Sequence, residues 1–337
     1  MVLQAPLLQL LHRRFGKPCK LLSFGQWSRP LFASSPDVGE IWQLGLRHAP
    51  YALSPQRWAL VRELRRHDGP VYVSEDIPGH VRRIRQLLQR GGISPDRSVF
   101  LNDCEGGEQL HWVDRLLAFG RLTPRFWSSS EFPSCDDEVP ATPCLHVDAA
   151  ARVDCEEWLA GRGLVAASLV LLQPGNKRTS RRIASRKQHD SKAWPLERWV
   201  ALVHAIRATS AEFRIVLCGS AHEHALLEEI RARANCSDVT IATRDLPVRR
   251  LLALAESAHS MIGVDTGPLH VAAAVGCPLV VLYGSESPAR WDRRSPVGRP
   301  VINLGGPPRG VVDAIELDEV VAAWRRIAVQ RDAESGK

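Results

Sequence analysis

Short apolar runs alternate with amphipathic stretches along the whole chain, and this alternation predicts an α/β fold. In the first half, four apolar runs predict strands: Lys20–Phe24, Glu40–Leu44, Val71–Ser74 and Ser98–Leu101. Four stretches between them carry apolar residues at helical spacing: Pro6–Phe15, Pro55–His67, Pro78–Gln89 and Gln109–Phe119. Strands that alternate with helices favour a parallel sheet covered by helices on both faces.

The alternation stops and then restarts, which predicts two domains in this chain of 337 residues. The segment Ser128–Thr142 has no periodicity and predicts an exposed loop, and Ala149–Ala160 predicts a helix. From there strands and helices alternate again: Leu169–Leu172, Leu196–Thr209, Phe213–Cys218, Glu223–Ala234, Val239–Ala242, Val248–Ser257 and the final helix Leu317–Val329. We therefore expect two Rossmann-like domains, residues 1–164 and residues 165–337.

One segment of the second half carries a turn that is suited to bind an anion. Met261–Val264 and Leu279–Tyr283 predict buried strands, with a short Ala-rich helix at Leu269–Val275 between them. Pro268 marks the first helical turn, and Gly267 allows a ligand to approach the backbone. Because a helix N-terminus presents free N–H groups and a partial positive charge, this turn suits a phosphate or a diphosphate.

Three side chains flank the turn, and their roles stay open at this point. Asp265 and Thr266 precede Gly267, and His270 lies in the first helical turn, where an imidazole can donate to a phosphate oxygen. The alternative is an ordinary capped helix, with Asp265 or Thr266 as its N-cap and His270 as a surface residue.

A basic segment follows the strand Leu169–Leu172. Gln173-Pro-Gly-Asn-Lys177 stands at the carboxyl edge of the predicted sheet, where ligands of open α/β folds bind. From Lys177 to Lys192 there are seven Lys or Arg residues and one acid, Asp190. Three interpretations remain open: a solvated loop without a role, a nucleic-acid patch, and a clamp over a phosphorylated ligand. The segment lacks aromatic residues before Trp194, which speaks against nucleic acid.

Two further strand ends belong to the same predicted edge. Cys218-Gly-Ser-Ala-His-Glu223 ends a strand and begins a helix, which places Glu223 to accept two hydroxyl hydrogen bonds from a ribose or sugar diol. The alternative role of Glu223 is a helix N-terminal charge. Tyr283-Gly284 is a further strand-to-turn element, or simply a loop.

Composition narrows the class of protein. Hydrophobic content of 45% and charged content of 24% are typical of a soluble globular protein, and no apolar run is long enough to span a membrane. The basic residues near the N-terminus follow the apolar ones, which is the reverse of a signal peptide, so we expect a cytoplasmic protein. The eight cysteines are scattered without metal-ligand spacing. A net charge of +7 favours anionic partners and makes peripheral contact with an anionic membrane a hypothesis.

Five motifs in the second half carry a resemblance to a known family. They are Gln173-Pro-Gly-Asn, Lys192-Ala-Trp-Pro-Leu-Glu-Arg-Trp, Leu217-Cys-Gly-Ser-Ala-His-Glu, Asp265-Thr-Gly-Pro-Leu-His-Val-Ala-Ala-Ala and Leu282-Tyr-Gly-Ser. In order and spacing they resemble the bacterial glycosyltransferases that include the ADP-heptose lipopolysaccharide heptosyltransferases. Weaker similarity in the first half, at Pro6-Leu-Leu-Gln-Leu-Leu and His111–Gly120, extends the resemblance over nearly the whole chain.

The resemblance implies a GT-B-type fold, in which the first domain holds the acceptor and the second binds a nucleoside diphosphate sugar. The donor-binding residues would be Asn176, Lys177, Lys192, Glu223, Asp265, Thr266, Gly267 and His270. Lys192 would neutralise the diphosphate, Glu223 would bind the nucleoside sugar, and the Asp265–Gly267 turn with His270 would hold the phosphates and the transferred sugar. Transfer would be inverting and would need neither metal nor cofactor, and the acceptor would be a cell-envelope glycolipid or saccharide.

The chain departs from the family pattern in two places. Family members have a strand and a Gly-Asp turn six residues before the proline that matches Pro6, and that Asp is the general base. Counted back from Pro6, the base and the first strand of the first domain fall before Met1, so the catalytic base of this chain is unknown. The expected function is therefore sugar transfer, with a catalytically weakened nucleotide-sugar-binding homologue as the alternative. The long basic insertion after Asn176 leaves the donor sugar open.

Overall fold

The structure is a computed structural model, and its chain divides into two compact units. It describes residues 1–44, 54–104, 106–107, 109–128, 130, 132–133, 138–165, 167–176 and 192–334. The first unit comprises Met1 and Leu3–Ala141, and the second comprises Val2 and Thr142–Lys337.

Among its described residues, the first unit contains two pairs of parallel strands and five α-helices. Its strands are β1 (Cys19–Phe24), β2 (Val38–Leu44), β3 (Val71–Val73) and β4 (Ser98–Phe100). Its helices are α1 (Ala5–Phe15), α2 (Ser28–Phe32), α3 (Pro55–Leu64), α4 (Pro78–Arg90) and α5 (Trp112–Gly120). Strand β1 pairs with β2, and β3 pairs with β4, with no hydrogen-bonded link between the two pairs in the part of the chain that the structure describes. The absence of a first strand stays a prediction.

The second unit is built on one six-stranded parallel sheet. Its strands are β5 (Ser168–Gln173), β6 (Phe213–Cys218), β7 (Thr240–Ala242), β8 (Ser260–Val264), β9 (Leu279–Tyr283) and β10 (Val301–Gly305). Its helices are α6 (Ala149–Ala160), α7 (Leu196–Thr209), α8 (His224–Arg233), α9 (Val248–Ser257), α10 (Gly267–Ala274), α11 (Pro288–Trp291) and α12 (Leu317–Glu334).

The strand order of this sheet is β10-β9-β8-β5-β6-β7, which is the doubly wound Rossmann arrangement. Strands β8 and β9 are buried along their whole length, because helices cover both faces of a parallel sheet. The core contains the fully buried indoles of Trp199 and Trp324.

The boundary between the units lies after residue 141, whereas the sequence places it after residue 164. The difference is helix α6, which the sequence assigns to the first domain. In the structure α6 is tied to α9 by ion pairs, with Arg152 2.7 Å from Glu256 and Arg250 2.7 Å from Asp154. Such pairs join residues about a hundred positions apart, so periodicity gives no sign of them.

Most predicted elements are present, and the differences are local. The short helices α2 and α11 were not predicted, because four or five residues are too few to show a helical period, and the strand β10 was not predicted, because Asn303 interrupts its apolar run. The prediction of a wholly exposed loop at Ser128–Thr142 is wrong in part, because Phe132 and Val139 are buried. The Phe132 ring lies 4.6 Å from the Arg14 guanidinium, a tertiary contact that buries it.

Within the residues that the structure describes, none of the helices combines the length and the apolar character needed to cross a bilayer.

Candidate functional site

The candidate site lies where the winding of the second sheet reverses. From β5 the chain first adds β6 and β7 on one side, and later adds β8, β9 and β10 on the other. Strands β5 and β8 are neighbours, with Gln173 opposite Gly263. The loops that leave their carboxyl ends therefore start side by side, at the position where doubly wound folds bind their ligands.

Helix α10 begins at this point with an open N-terminus. Thr266 is its N-cap in an extended conformation, without a side-chain capping bond, and a proline occupies the first turn. Gly267 is exposed, and a Cβ atom at this position would meet no atom within 4 Å. The space beside Gly267, the first residue of α10, is therefore open, as anion binding at a helix N-terminus requires. The prediction of this turn from the sequence agrees with the geometry.

Asp265 is held between two cations. Its Oδ2 lies 2.6 Å from Lys192 Nζ, and its Oδ1 lies 2.6 Å from Arg293 Nη2. Burial alone would raise the pKa of Asp265, but Arg293 and then Lys192 hold this pKa below its ordinary value. Asp265 is thus an ionised counterion and does not act as the N-cap that the alternative interpretation assigns to it.

Arg293, in the segment after α11, contacts this turn, and no sequence pattern predicted this contact. Its side chain is fully buried, and Nη2 also donates to the Thr266 carbonyl at 3.3 Å. Nη1 donates to the Tyr283 hydroxyl, which itself donates to the Trp291 carbonyl at 3.0 Å. Desolvation raises the pKa of Tyr283 to about 12, so the phenol stays protonated and can make both bonds. Arg293 and Arg294 are adjacent, and periodicity cannot tell which one is buried.

Asn176 and Lys192 bracket the basic segment, and the structure brings the two together. Asn176 is buried, and its Nδ2 donates to the Lys192 carbonyl at 3.4 Å. Lys192 then extends its ammonium to Asp265 of the neighbouring loop. Lys177, with the rest of the segment 177–191, lies outside the described residues.

Glu223 lies at the same edge, after β6, but it is already engaged within the chain. It is 5% exposed, and its Oε2 accepts a hydrogen bond from the Ser220 N–H at 2.6 Å as part of a capping box. A Cβ atom at Gly175 would lie 2.1 Å from its Oε1. The side chain therefore packs against the β5 loop and takes part in a capping box just before α8, which is where the alternative places a helix N-terminal charge. A hydrogen bond to a ligand hydroxyl stays a prediction.

His270 is half-buried in the first turn of α10, at the position that the sequence indicated. Its contact with phosphate stays a prediction. Among the described residues no three His, Cys, Asp or Glu side chains form a group that could hold a metal ion. The independence from metal also stays a prediction.

Fold and site together define a class of protein. A doubly wound parallel sheet, with an open helix N-terminus and a lysine at its switch point, is typical of a domain that binds nucleotide phosphates. Comparison with known families specifies the class further. Residues 176–310 match the model of glycosyltransferase family 9 (heptosyltransferase). Within these residues the chain matches a glycosyltransferase family 9 domain, and the resemblance inferred from its motifs is confirmed.

Individual relatives agree with this assignment. Lipooligosaccharide heptosyltransferase 2 of Haemophilus influenzae is 23% identical over 276 residues, which cover 78% of this chain and 73% of the relative. Lipopolysaccharide heptosyltransferase 3 of Escherichia coli is 30% identical over 100 residues, or 30% of this chain and 29% of the relative.

Solved structures show the same fold. The structure described as E. coli ADP-heptose lps heptosyltransferase II matches with a TM-score of 0.70 at 20% identity, covering 98% of this chain and 96% of that one. A glycosyltransferase family 9 protein from Veillonella parvula matches with a TM-score of 0.74 at 14% identity, covering 98% and 94%. The predicted fold class, Rossmann-like domains of the GT-B type, is confirmed.

Proposed function

We propose that this protein is a glycosyltransferase that moves a sugar from a nucleoside diphosphate carrier to a lipopolysaccharide or a related cell-envelope glycolipid. The observation that carries the proposal is the open N-terminus of α10 beside the ammonium of Lys192. Heptose carried on ADP is the first donor to test, because the matched relatives are named heptosyltransferases and one solved relative is described with ADP-heptose. In this proposal residues 165–337 bind the donor and residues 1–164 face the acceptor.

The chemistry that these residues can supply is stabilisation of the leaving group. As the bond between the anomeric carbon and the phosphate oxygen breaks, negative charge develops on the departing diphosphate. The N–H groups at Thr266 and Gly267, the partial positive charge of the helix and the Lys192 ammonium would all meet that charge. The same groups do what a divalent cation does in other transferases, so the proposed transfer is independent of metal.

The remaining donor residues take supporting roles. His270 would donate to a phosphate oxygen from the first turn of α10, and Asn176 and Lys177 would line the loop after β5. Glu223 would accept a hydroxyl of the nucleoside sugar, although one of its carboxylate oxygens is engaged by Ser220.

The proposed reaction is a single in-line displacement. The acceptor hydroxyl oxygen forms a bond to one face of the anomeric carbon while the diphosphate leaves from the other, so the anomeric configuration inverts. The hydroxyl proton passes to a base that is unknown in this chain. Asp265 is a poor candidate for that base, because two cations keep its pKa low.

Calorimetry and a transfer assay test the proposal in sequence. The chain is titrated with ADP, UDP and GDP and their sugars, and saturable binding of at least one is expected. Transfer from ADP-heptose to a heptose-deficient lipopolysaccharide is then measured with and without EDTA, and the anomeric configuration of the product is determined by NMR. A lack of response to all three nucleotides would refute donor binding, and loss of transfer in EDTA would refute independence from metal.

The alternative is a homologue that binds a nucleotide sugar without transferring it efficiently. The paired state of Asp265 favours this alternative, because it leaves this carboxylate a poor base for deprotonation of the acceptor hydroxyl. Tight nucleotide binding without measurable transfer would support it, and turnover at an ordinary enzymatic rate would exclude it.

Two statements about partners and location complete the proposal. We expect a cytoplasmic protein whose net charge of +7 supports peripheral contact with the inner face of the cell membrane, and we do not include nucleic acid among its proposed ligands. Co-sedimentation with vesicles of anionic lipid at low salt is the expected result, and failure to sediment would refute the contact. Short DNA and RNA should not compete with nucleotide binding.

A further inference from the structure

Asp265 has two cationic partners that differ in how deeply they are buried. Both ion pairs measure 2.6 Å, but the Arg293 side chain is 0% exposed, whereas the Lys192 side chain is 16% exposed. Arg293 is thus sealed inside the protein, whereas Lys192 is partly exposed and binds Asp265, two positions before the exposed Gly267.

We propose that Arg293 is a positioning residue of the donor site: it is the permanent counterion of Asp265 and leaves Lys192 able to exchange that carboxylate for the donor diphosphate. The inference rests on the proposed function. Arg293 does not contact the donor in this proposal, and it influences donor binding through Asp265 and Thr266.

The net charge at the turn depends on Arg293. Two cations and one anion leave a net charge of +1 when Arg293 is present. Without Arg293 the balance is zero, and Lys192 is the remaining partner of a largely buried carboxylate. Because a buried carboxylate without a partner is costly, Lys192 would then stay on Asp265 and be less available to a phosphate.

Arg293 also holds the N-terminal end of α10 in place. The nitrogen of Arg293 that binds Asp265 also donates to the carbonyl of Thr266, the N-cap of α10. One guanidinium therefore fixes the carboxylate and the residue from which the first free N–H groups of the helix follow. Both contacts are made by Nη2, and the planar fork of the guanidinium leaves Nη1 directed at a third group, the Tyr283 hydroxyl.

The guanidinium of Arg293 is itself held in position by Tyr283. Its Nη1 donates to the Tyr283 hydroxyl, and its central carbon lies 5.1 Å from the centre of the Tyr283 ring. Tyr283 ends β9, and its hydroxyl is anchored on Trp291. The arginine is thus held by the sheet and by α11, and it does not move with the ligand.

The experiment is a double-mutant cycle read by calorimetry with ADP, or with UDP or GDP if the wild-type chain binds one of these instead. We expect Arg293→Met to weaken nucleotide binding by at least about tenfold in the wild-type background. In an Asp265→Asn background the same change should cost less than about threefold, because the anion that retains Lys192 is gone. Arg293→Lys should recover part of the loss by restoring the charge.

Two controls separate this role from general damage. Arg198→Met removes another arginine of the same unit, one whose Nη2 lies 2.9 Å from Glu316 far along the chain from the turn, and it should leave the affinity unchanged. The thermal midpoint of each variant is recorded, so that binding is compared among folded proteins.

The outcomes are distinct. An equal loss from Arg293→Met in both backgrounds, or no loss in either, would overturn the inference. Absence of nucleotide binding in the wild-type chain would refute the proposed function instead.

Discussion

Glu223 occupies the space that a side chain at Gly175 would need, and substitution of this glycine tests how much the packing there stabilises the protein. A Cβ atom at Gly175 would lie 2.1 Å from Glu223 Oε1 and 2.6 Å from its Cδ. The end of a glutamate often moves aside at little cost. Glu223, however, is 5% exposed, and its Oε2 accepts a hydrogen bond from the Ser220 N–H at 2.6 Å. Gly175→Ala must therefore break the capping box to make room for the new methyl group.

The magnitude follows from two contributions. Loss of a capping interaction costs roughly 0.5–2 kcal/mol, and an extra methyl group in a packed region costs roughly 1–3 kcal/mol. We therefore expect Gly175→Ala to lower the free energy of unfolding by about 1.5–5 kcal/mol. For a unit of this size, that corresponds to a fall of roughly 3–20 °C in Tm.

Urea unfolding and calorimetry of the full chain measure the effect. Gly161→Ala is the matched control, because its φ is −62° and the nearest atom to a Cβ there is the Glu157 carbonyl oxygen at 3.5 Å. Equal unfolding free energies for the two variants would refute the argument from packing. Nucleotide affinity is measured in parallel, and an unchanged Kd in a destabilised Gly175→Ala protein would remove Glu223 from the donor site.

Three further predictions concern the charged turn. Lys192→Gln should raise the Kd for the nucleotide at least about tenfold, or about 1.4 kcal/mol, and an unchanged calorimetric titration would remove Lys192 from the site. Tyr283→Phe should cost roughly 1–3 kcal/mol of unfolding free energy, because it leaves Arg293 Nη1 and the Trp291 carbonyl without the hydroxyl; a loss below about 0.5 kcal/mol would contradict this. Because the folded pKa of Asp265 lies below its ordinary value of 3.8, its stabilising effect is complete above that value and is lost as the pH falls through the lower one. Arg293→Met raises this pKa, so its urea midpoint should begin to fall at a higher pH than that of the wild type, and superimposable pH profiles would be the opposite result.

The sequence anticipated the parts of the site that arise from local order. The apolar runs of β5, β8 and β9 and the proline in the first turn of α10 are local signals, and each produced the predicted element. An open helix end after Asp265-Thr-Gly follows from the same signals, because the position of a helix N-terminus depends on a few neighbouring residues. The capping role of Glu223 was likewise within reach, since Ser220 and Glu223 are three positions apart.

The sequence alone could not give the partners of these residues. Lys192 and Asp265 are 73 positions apart, and Arg293 and Asp265 are 28 apart. Their meeting depends on the order of the strands in the sheet and on the path of the chain after α11. Nothing in the segment Trp291-Asp-Arg-Arg indicates which arginine turns inward.

Periodicity and turn residues thus determined the elements, the doubly wound class and the place of the anion-binding turn. The tertiary structure decided which charges meet at that turn, which helix belongs to which unit, and which carboxylate is committed to a salt bridge. The physical reason is range: helix and strand formation is governed by residues a few positions apart, whereas an ion pair forms between any two groups that the folded backbone brings within about 4 Å.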